Sequence, residues 1–438
     1  MSLKIPQFFR VISSLWAGRI PGQLIIQFTD HCNARCPQCG MRVTNHFPRH
    51  RLNVDDIKRM LDAAPRKGIQ VVSFTGGEPL LHLQDLITLI NHAGRAGIQY
   101  IRTGTNGFLF SRPQGPGFHG RINRLAEALA ATPLRNFWIS IDSALPHVHE
   151  EMRGFKGIVK GIQKALPILH EYGIYPSANL GINRNVGGEL TRSVTIAGGS
   201  PKEFAHFEES YREAFRSFYR FVDGLGFTIV NSCYPMSIEI GDGDSGLDPV
   251  YAATSRENLV RYNSREKAAL YRALFLTIPE FRHRLRIFSP RTSLRALFRS
   301  YAGGEEEAYP CRGGLDAFFV DSTGGNTYPC GYRGGENMGK FWSLEPGKQN
   351  GKEGCRLCDW ECFRDPSELF GPLLQIKSSP FSLLKKLFGD HEYFGIWRED
   401  LSYYRACHLF DGRRPPDYKK LARFQGAGEG SGPRVSSG

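Results

Sequence analysis

Cys32, Cys36 and Cys39 share one short stretch, Cys32-Asn-Ala-Arg-Cys36-Pro-Gln-Cys39. Three thiolates that close along the chain can hold three irons of a cubane and leave the fourth iron open. An iron–sulfur cluster is ordinarily held by four cysteines, so a triplet implies that a substrate or cofactor completes the last iron. Structural zinc, the competing reading, wants four ligands in C-x2–4-C pairs. A second set, Cys311, Cys330, Cys355, Cys358 and Cys362, crowds residues 311–362. Its Cys355-Arg-Leu-Cys358 pair suits a cluster or zinc alike. Cys233 and Cys407 are isolated and read as small buried hydrophobes. The chain has ten cysteines, most of them clustered. With no evident secretion signal, ligation is preferred to disulfide pairing.

The elements that must position these groups alternate regularly. Strands are predicted over Leu24–Phe28, Val71–Phe74, Tyr100–Thr105, Phe137–Asp142, Tyr175–Ile182 and Phe227–Asn231. Helical patterns fall between them, over residues 54–61, Leu83–Ala96, Ile122–Ala130 and Ile158–Glu171, and from the capping box Ser200-Pro-Lys-Glu203 onward. Such alternation predicts an α/β fold with a parallel sheet and crossover helices, a partial (β/α)6 barrel. The cysteine triplet directly follows the first strand, at the strand end where such folds place their chemistry. The second strand leads into Gly76-Gly77-Glu78-Pro79, where glycines allow close backbone approach and Glu78 can accept a hydrogen bond from an α-amino group. Asn106, Ser140, Asp142, Asn183 and Arg184 sit at later strand ends, either as strand caps or as ligand contacts.

The C-x3-C-x2-C loop and the GGEP turn resemble the radical S-adenosylmethionine (radical SAM) superfamily over about residues 20–235. One feature departs from it, because Gln38 stands where an aromatic residue usually precedes the third cysteine. The resemblance implies a [4Fe–4S] cluster on Cys32, Cys36 and Cys39. It implies an S-adenosylmethionine site built from Gly76, Gly77, Glu78 and Pro79 at the methionine end, with Asn106, Ser140, Asp142, Asn183 and Arg184 toward the ribose or carboxylate. It further implies reductive cleavage of the cofactor to a 5′-deoxyadenosyl radical that takes hydrogen from a substrate, with an external flavodoxin- or ferredoxin-like reductant. The spacing from Cys311 to Gly325, then four residues to Cys330, then Cys355-x2-Cys358, is similar to the SPASM and Twitch auxiliary-cluster domains. That similarity implies a smaller cysteine-rich α+β domain holding one auxiliary [4Fe–4S] cluster on Cys311, Cys330, Cys355 and Cys358, with Cys362 as a substitute ligand. Substrates of such enzymes are peptides, proteins or small metabolites, and the outcome is oxidation or bond formation. A non-catalytic iron–sulfur carrier and a zinc-stapled anion-binding protein are the alternatives. No catalytic side chain beyond the cofactor set is identified.

Composition bounds the partners. The chain has 438 residues and a formal net charge of +13, which favours an anionic partner or a solvated basic surface. No recognisable nucleic-acid-binding module is present, so no nucleic acid is expected. No run approaches the roughly 20 apolar residues that span a bilayer, and a cytoplasmic location follows as the expectation, with peripheral membrane contact as an option. The expected divisions are an amphipathic N-terminal segment over 1–22 (Phe8, Phe9, Ile12, Leu15, Trp16), a core over 23–235, a basic helical linker over 236–305, the auxiliary domain over 306–365, a helical extension over 366–424 and a disordered tail over 425–438. Within the linker, Arg282, Arg284, Arg286, Arg291, Arg295 and Arg299 are expected as a solvated face or as a dock for an acidic peptide, a phosphorylated substrate or anionic lipid.

Overall fold

The computed structural model describes residues 14–41, 49–235, 247–303, 308–345 and 354–425. Most of the amphipathic N-terminal segment, including Phe8, Phe9 and Ile12, and nearly all of the expected tail lie outside the described residues.

Six βα units build the core. Strands β1 (Gly22–Thr29), β2 (Ile69–Gly76), β3 (Tyr100–Thr105), β4 (Asn136–Ser140), β5 (Ser177–Gly181) and β6 (Ile229–Cys233) pair in parallel, in sequence order. The crossovers are α1 (Val54–Ala63), α2 (Leu83–Arg95), α3 (Phe118–Ala130), α4 (Pro146–Arg153), α5 (Ile158–Glu171) and α6 (Pro201–Leu225). Their entries follow from sequence. The Asn53 side chain accepts from the Asp55 N–H at the start of α1, and Ser200 and Glu203 form a reciprocal capping box on α6. Each helix turns an apolar stripe onto the sheet, as Leu86, Leu89 and Ile90 of α2 do. The alternate strand residues Leu24, Ile26, Phe28, Val72 and Phe74 meet those stripes in the main core, which leaves the other face of each strand to line a lumen.

The sheet does not close, and it is longer than six strands. At one end β7 (Arg286–Ile287) pairs with β6; at the other β8 (Ala317–Val320) pairs in parallel with β1, followed by the antiparallel β9 (Thr327–Tyr328). The result is a partial barrel. The cysteine-rich region therefore continues the core sheet through β8 rather than standing beside it.

The basic segment is where the structure departs from expectation. It contains α7 (Ser264–Thr277), β7 and α8 (Arg291–Tyr301), and its arginines are mostly internal. Arg282 is fully buried and pairs with Asp400 and with Glu399 (3.1 Å). Arg286, also buried, donates to the Thr228 hydroxyl (2.7 Å) and the Arg414 carbonyl (2.9 Å). Arg291 reaches Glu399 at 3.3 Å, and Arg295 binds Asp390 (2.9 Å) and Glu392 (3.0 Å). Neither a solvated face nor a dock describes these four residues. The C-terminal part holds α9 (Glu361–Ser378), α10 (Pro380–Gly389) and α11 (His391–Ala406); Arg282, Arg291 and Arg295 are counter-charges for Asp390 before α11 and for Glu392, Glu399 and Asp400 within it. Buried charges persist only when paired in this way. The stretch after α11 then returns to the core, where Tyr100 Oη donates to the Phe410 carbonyl and Arg135 meets Asp411. Among the described residues no helix is long and apolar enough to cross a membrane.

Candidate active site and second cysteine site

The triplet loop leaves the C-terminal end of β1 and is pinned to the end of β2. The Gly77 N–H donates to the Thr29 carbonyl and the Glu78 N–H to the His31 carbonyl, both at 2.8 Å. A Cβ on Gly76 would stand 1.9 Å from the Thr29 carbonyl oxygen, and one on Gly77 2.2 Å from that of His31. Their bareness lets the cysteine loop approach the turn.

Glu78 is fully buried at this junction. Its Oε1 accepts from the Leu80 N–H (3.0 Å) and its Oε2 from the Asn106 N–H (2.6 Å). Burial pushes its carboxyl up to about 7 despite those hydrogen bonds. Asn106 in turn donates through Nδ2 to Asn33 Oδ1 (2.8 Å) and toward Cys32 Sγ (3.7 Å). Pro79 occupies the first position of a short 3₁₀ turn, buried.

At the end of β4 the Asp142 carboxylate is clamped by Arg153 with two hydrogen bonds, at 2.6 and 2.7 Å. The remaining Arg153 nitrogen points at Cys36 Sγ, 3.6 Å away. Burial alone would raise Asp142, but the Arg153 charge and His149 hold it down to about 2. Ser140 lies in register with Asn179 of β5 on the lumen side. Asn183 donates to the Asp142 and Gly181 carbonyls and so braces the strand end. Arg184 points elsewhere altogether. It binds Glu266 (2.7 Å) and the carbonyls of Val194 and Arg261, with its guanidinium over the Tyr262 ring. Burial pushes the Cys36 and Cys39 thiols up to about 11 and 12.

The second set gathers under β1 and β8. The Cys311 N–H donates to the Cys355 carbonyl (2.8 Å), and the acidity of Cys358 responds to the charges of Cys330 and Cys311. An apolar shell with Tyr332, Trp360 and Phe363 encloses them. Backbone N–H groups point at sulfur in both sets: Ala34 at Cys32 (3.5 Å), and Gly313, Tyr332 and Leu357 at Cys311, Cys330 and Cys355 (3.4 Å each). Such donors favour the thiolate form that clusters require. The donor sets therefore fit iron–sulfur ligation. Among the described residues no three His, Cys, Asp or Glu side chains stand at the spacing of a single ion's ligands. A polynuclear cluster spreads its thiolates over several irons, so donor number and chemistry carry the fit.

Cys362 packs against the same apolar cluster, but its sulfur has other electrostatic neighbours. It lies in the barrel lumen, where its Sγ donates to Glu361 Oε1 (3.4 Å) and where Cys233 and Arg102 are its electrostatic neighbours. There a cavity of about 140 Å³ is lined by Gln23, Arg102, Asn231, Glu361, Cys362 and Asp365 among others. Arg102 sits over the Trp138 and Phe288 rings. Cys233, expected to be an inert hydrophobe, donates to Asn179 Oδ1 (3.4 Å) on the same lumen.

Two groups, Arg153 and Tyr251, were missed in the sequence. Arg153 had no distinguishing signal beyond its place at the end of α4. Tyr251 hydrogen-bonds Thr75 (3.2 Å) and stacks on Trp360 (5.7 Å). Its segment, residues 248–254, bonds Gly331 and Tyr332 beside Cys330 on one side and Gly40 beside Cys39 on the other. A strap hidden in the supposed linker thus joins the two cysteine sites.

Residues 26–193 match the family described as the Radical SAM superfamily. The chain is similar to a probable GTP 3′,8-cyclase of Thermococcus kodakarensis, 27% identical over 46% of this chain and 62% of that one. It is also similar to an AdoMet-dependent heme synthase of Methanosarcina barkeri, 22% identical over 71% of this chain and 77% of that one. A PqqA peptide cyclase of Rhodopseudomonas palustris is 31% identical over 32% of this chain and 33% of that one. Against both cyclases the chain spans less than two thirds of the relative's length. Among solved structures, Streptococcus suis SuiB bound to S-adenosylmethionine aligns over 74% of this chain and 64% of that one, at 16% identity and a TM-score of 0.44. With its partial barrel and the cysteine triplet at the end of β1, the chain carries over residues 26–193 a region that matches the Radical SAM superfamily.

Proposed function

We propose that this protein binds S-adenosylmethionine at a [4Fe–4S] cluster on Cys32, Cys36 and Cys39, and that a substrate group in the lumen loses hydrogen to the radical formed there. A cluster held by Cys32, Cys36 and Cys39 would supply the electron for reductive cleavage of the cofactor's sulfonium C–S bond. The chain's own groups orient and protect. Glu78 accepts from the α-amino group of the methionine moiety, Asn106 and Ser140 face the nucleoside side, and the Arg153–Asp142 pair holds the loop beside Cys36. The apolar wall of Tyr251, Trp360 and Phe319 excludes water. The observation that carries this reading is the convergence of Glu78, Asn106 and Arg153 on the three-cysteine loop.

Cys311, Cys330, Cys355 and Cys358 hold one auxiliary [4Fe–4S] cluster in this reading, which would accept an electron from a substrate radical and make the net reaction an oxidation. The substrate is a peptide or a small metabolite, and the electron source is a flavodoxin- or ferredoxin-like protein. The peptide option is supported by the PqqA peptide cyclase among the relatives. The test is anaerobic reconstitution followed by assay of iron, sulfide and dithionite-dependent 5′-deoxyadenosine. About eight irons are expected, at about four per cubane. Substituting all three triplet cysteines by Ala should halve the iron and abolish 5′-deoxyadenosine. Unchanged iron in that variant would remove the cluster from the triplet.

A further inference from the structure

Helix α10, Pro-Phe-Ser-Leu-Leu-Lys-Lys-Leu-Phe-Gly, contributes no buried residue to the fold. Its roll is nevertheless fixed. Lys386 Nζ lies over the Tyr309 and Tyr393 rings at 4.3 and 4.1 Å, and Leu383 and Leu387 turn partly inward with it. At 3.6 residues per turn, Phe381, Leu384, Lys385 and Phe388 then share an outward arc of about 100°. Phe381 is 85% exposed and Phe388 75%. Two aromatic rings held in water on one ridge of a helix are unusual for a settled surface, and scattered exposure does not account for them.

The surroundings extend the same character. Ile376 and Lys377, at the end of α9, are exposed next to the α9–α10 junction, where Gln375 bonds Ser382 (3.0 Å). Trp16 is 71% exposed with its ring below Lys377 Nζ (5.5 Å). No acidic residue occurs in α10, and Asp390, which follows it, is engaged by Arg295. Phe381, Leu384 and Phe388 thus form an apolar ridge edged by Lys385, with Trp16 and Lys377 exposed at the α9 end, on a chain of net charge +13. Phe, Leu and Trp on one face with flanking lysines match the requirements of the boundary between lipid headgroups and acyl chains.

We infer that the exposed face of α10, with Trp16, Lys377 and Lys385, docks the protein on an anionic phospholipid surface. Phe381, Leu384 and Phe388 enter the acyl boundary while the lysines meet headgroup phosphates. Four of the six arginines expected to make such a contact, Arg282, Arg286, Arg291 and Arg295, are engaged inside the fold, so α10 is the element that provides it.

Co-sedimentation of the full chain with vesicles tests the inference. Binding is expected to vesicles of phosphatidylcholine mixed with phosphatidylglycerol, and not to phosphatidylcholine alone. A Phe381→Ala/Leu384→Ala/Phe388→Ala variant should lose binding while its elution volume and thermal midpoint stay unchanged. Lys377→Gln/Lys385→Gln should weaken binding by at least about tenfold, and salt should weaken the wild type. Binding retained by the triple variant, equal binding to neutral vesicles, or no binding to either would overturn the inference. A wild-type dimer that the triple variant converts to a monomer, with no vesicle binding, would instead assign the face to a second copy of the chain.

Discussion

Arg153 grips the Asp142 carboxylate with two hydrogen bonds and turns its last nitrogen to the Cys36 sulfur 3.6 Å away. One guanidinium thus couples the end of β4 to the loop after β1. Removing Asp142 leaves that guanidinium buried and unpaired, which costs about 3–5 kcal/mol. Asp142→Ala should lower the urea midpoint by that amount. The Asp142 pKa is depressed from 3.8 to about 2, so its stabilisation is present above 3.8 and lost only as pH falls toward 2. The gap between wild type and variant should therefore be the same at about pH 5 and pH 8. A gap that changed between them would mean that another group carries the effect.

Glu78 titrates in the opposite sense. Its folded pKa is raised from 4.5 to about 7 by burial. The protonated form is favoured in the fold, and its contribution to stability is full below 4.5 and fades as pH rises through 7. A cofactor ammonium beside Glu78 favours the ionised form. S-adenosylmethionine binding should tighten as pH rises from about 6 to 8, by up to about tenfold per unit below the pKa. Equilibrium binding across that range should give this slope for wild type and a flat, weaker profile for Glu78→Gln. A flat wild-type profile would remove Glu78 from the ammonium contact.

Cys330 and Cys362 should separate cleanly by iron content. Cys330→Ala is expected to lower iron by about four atoms per chain, whereas Cys362→Ala should leave it unchanged, because Cys362 sits with Glu361 and Cys233 in the lumen. Equal losses in both variants would return Cys362 to the ligand set.

Arg282 and Arg284 stand two residues apart and should differ sharply. Arg282 is buried between Asp400 and Glu399 and over the Tyr403 ring, so Arg282→Ala should destabilise by about 3–5 kcal/mol. Arg284 is half exposed in its pair with Asp223, and Arg284→Ala should cost no more than about 1 kcal/mol. Urea midpoints of the two variants measure both.

Most of this arrangement is legible where local periodicity and tertiary role agree. β3 and α5 fall at the residues predicted, and the capping box at Ser200 forms as written. The GGEP turn and the triplet meet because each directly follows a strand of a parallel sheet. Contacts between distant segments are not legible. Arg291 and Arg295 repeat at helical spacing whether the partner is water or Glu399 and Asp390, and only the fold of α9 to α11 decides. Asn183 and Arg184 are likewise polar residues at a strand end, and their use as braces depends on Asp142 and Glu266. Tyr251 lacks any local mark, because its partners Thr75 and Trp360 are set by the strap it belongs to.

The pairing of β8 with β1 bears on the order of synthesis. Gln23 is among the first residues of the sheet to leave the ribosome, and its neighbour Ala317 emerges only after every other strand of the core has been made. Until then β1 is an open parallel edge, rich in unpaired N–H and C=O groups. Long-range parallel pairing is intrinsically slow, so the nascent chain passes through a long interval with that edge unmet. The cysteine triplet follows the end of this strand, so its surroundings are complete only once the second cysteine set and β8 have been translated.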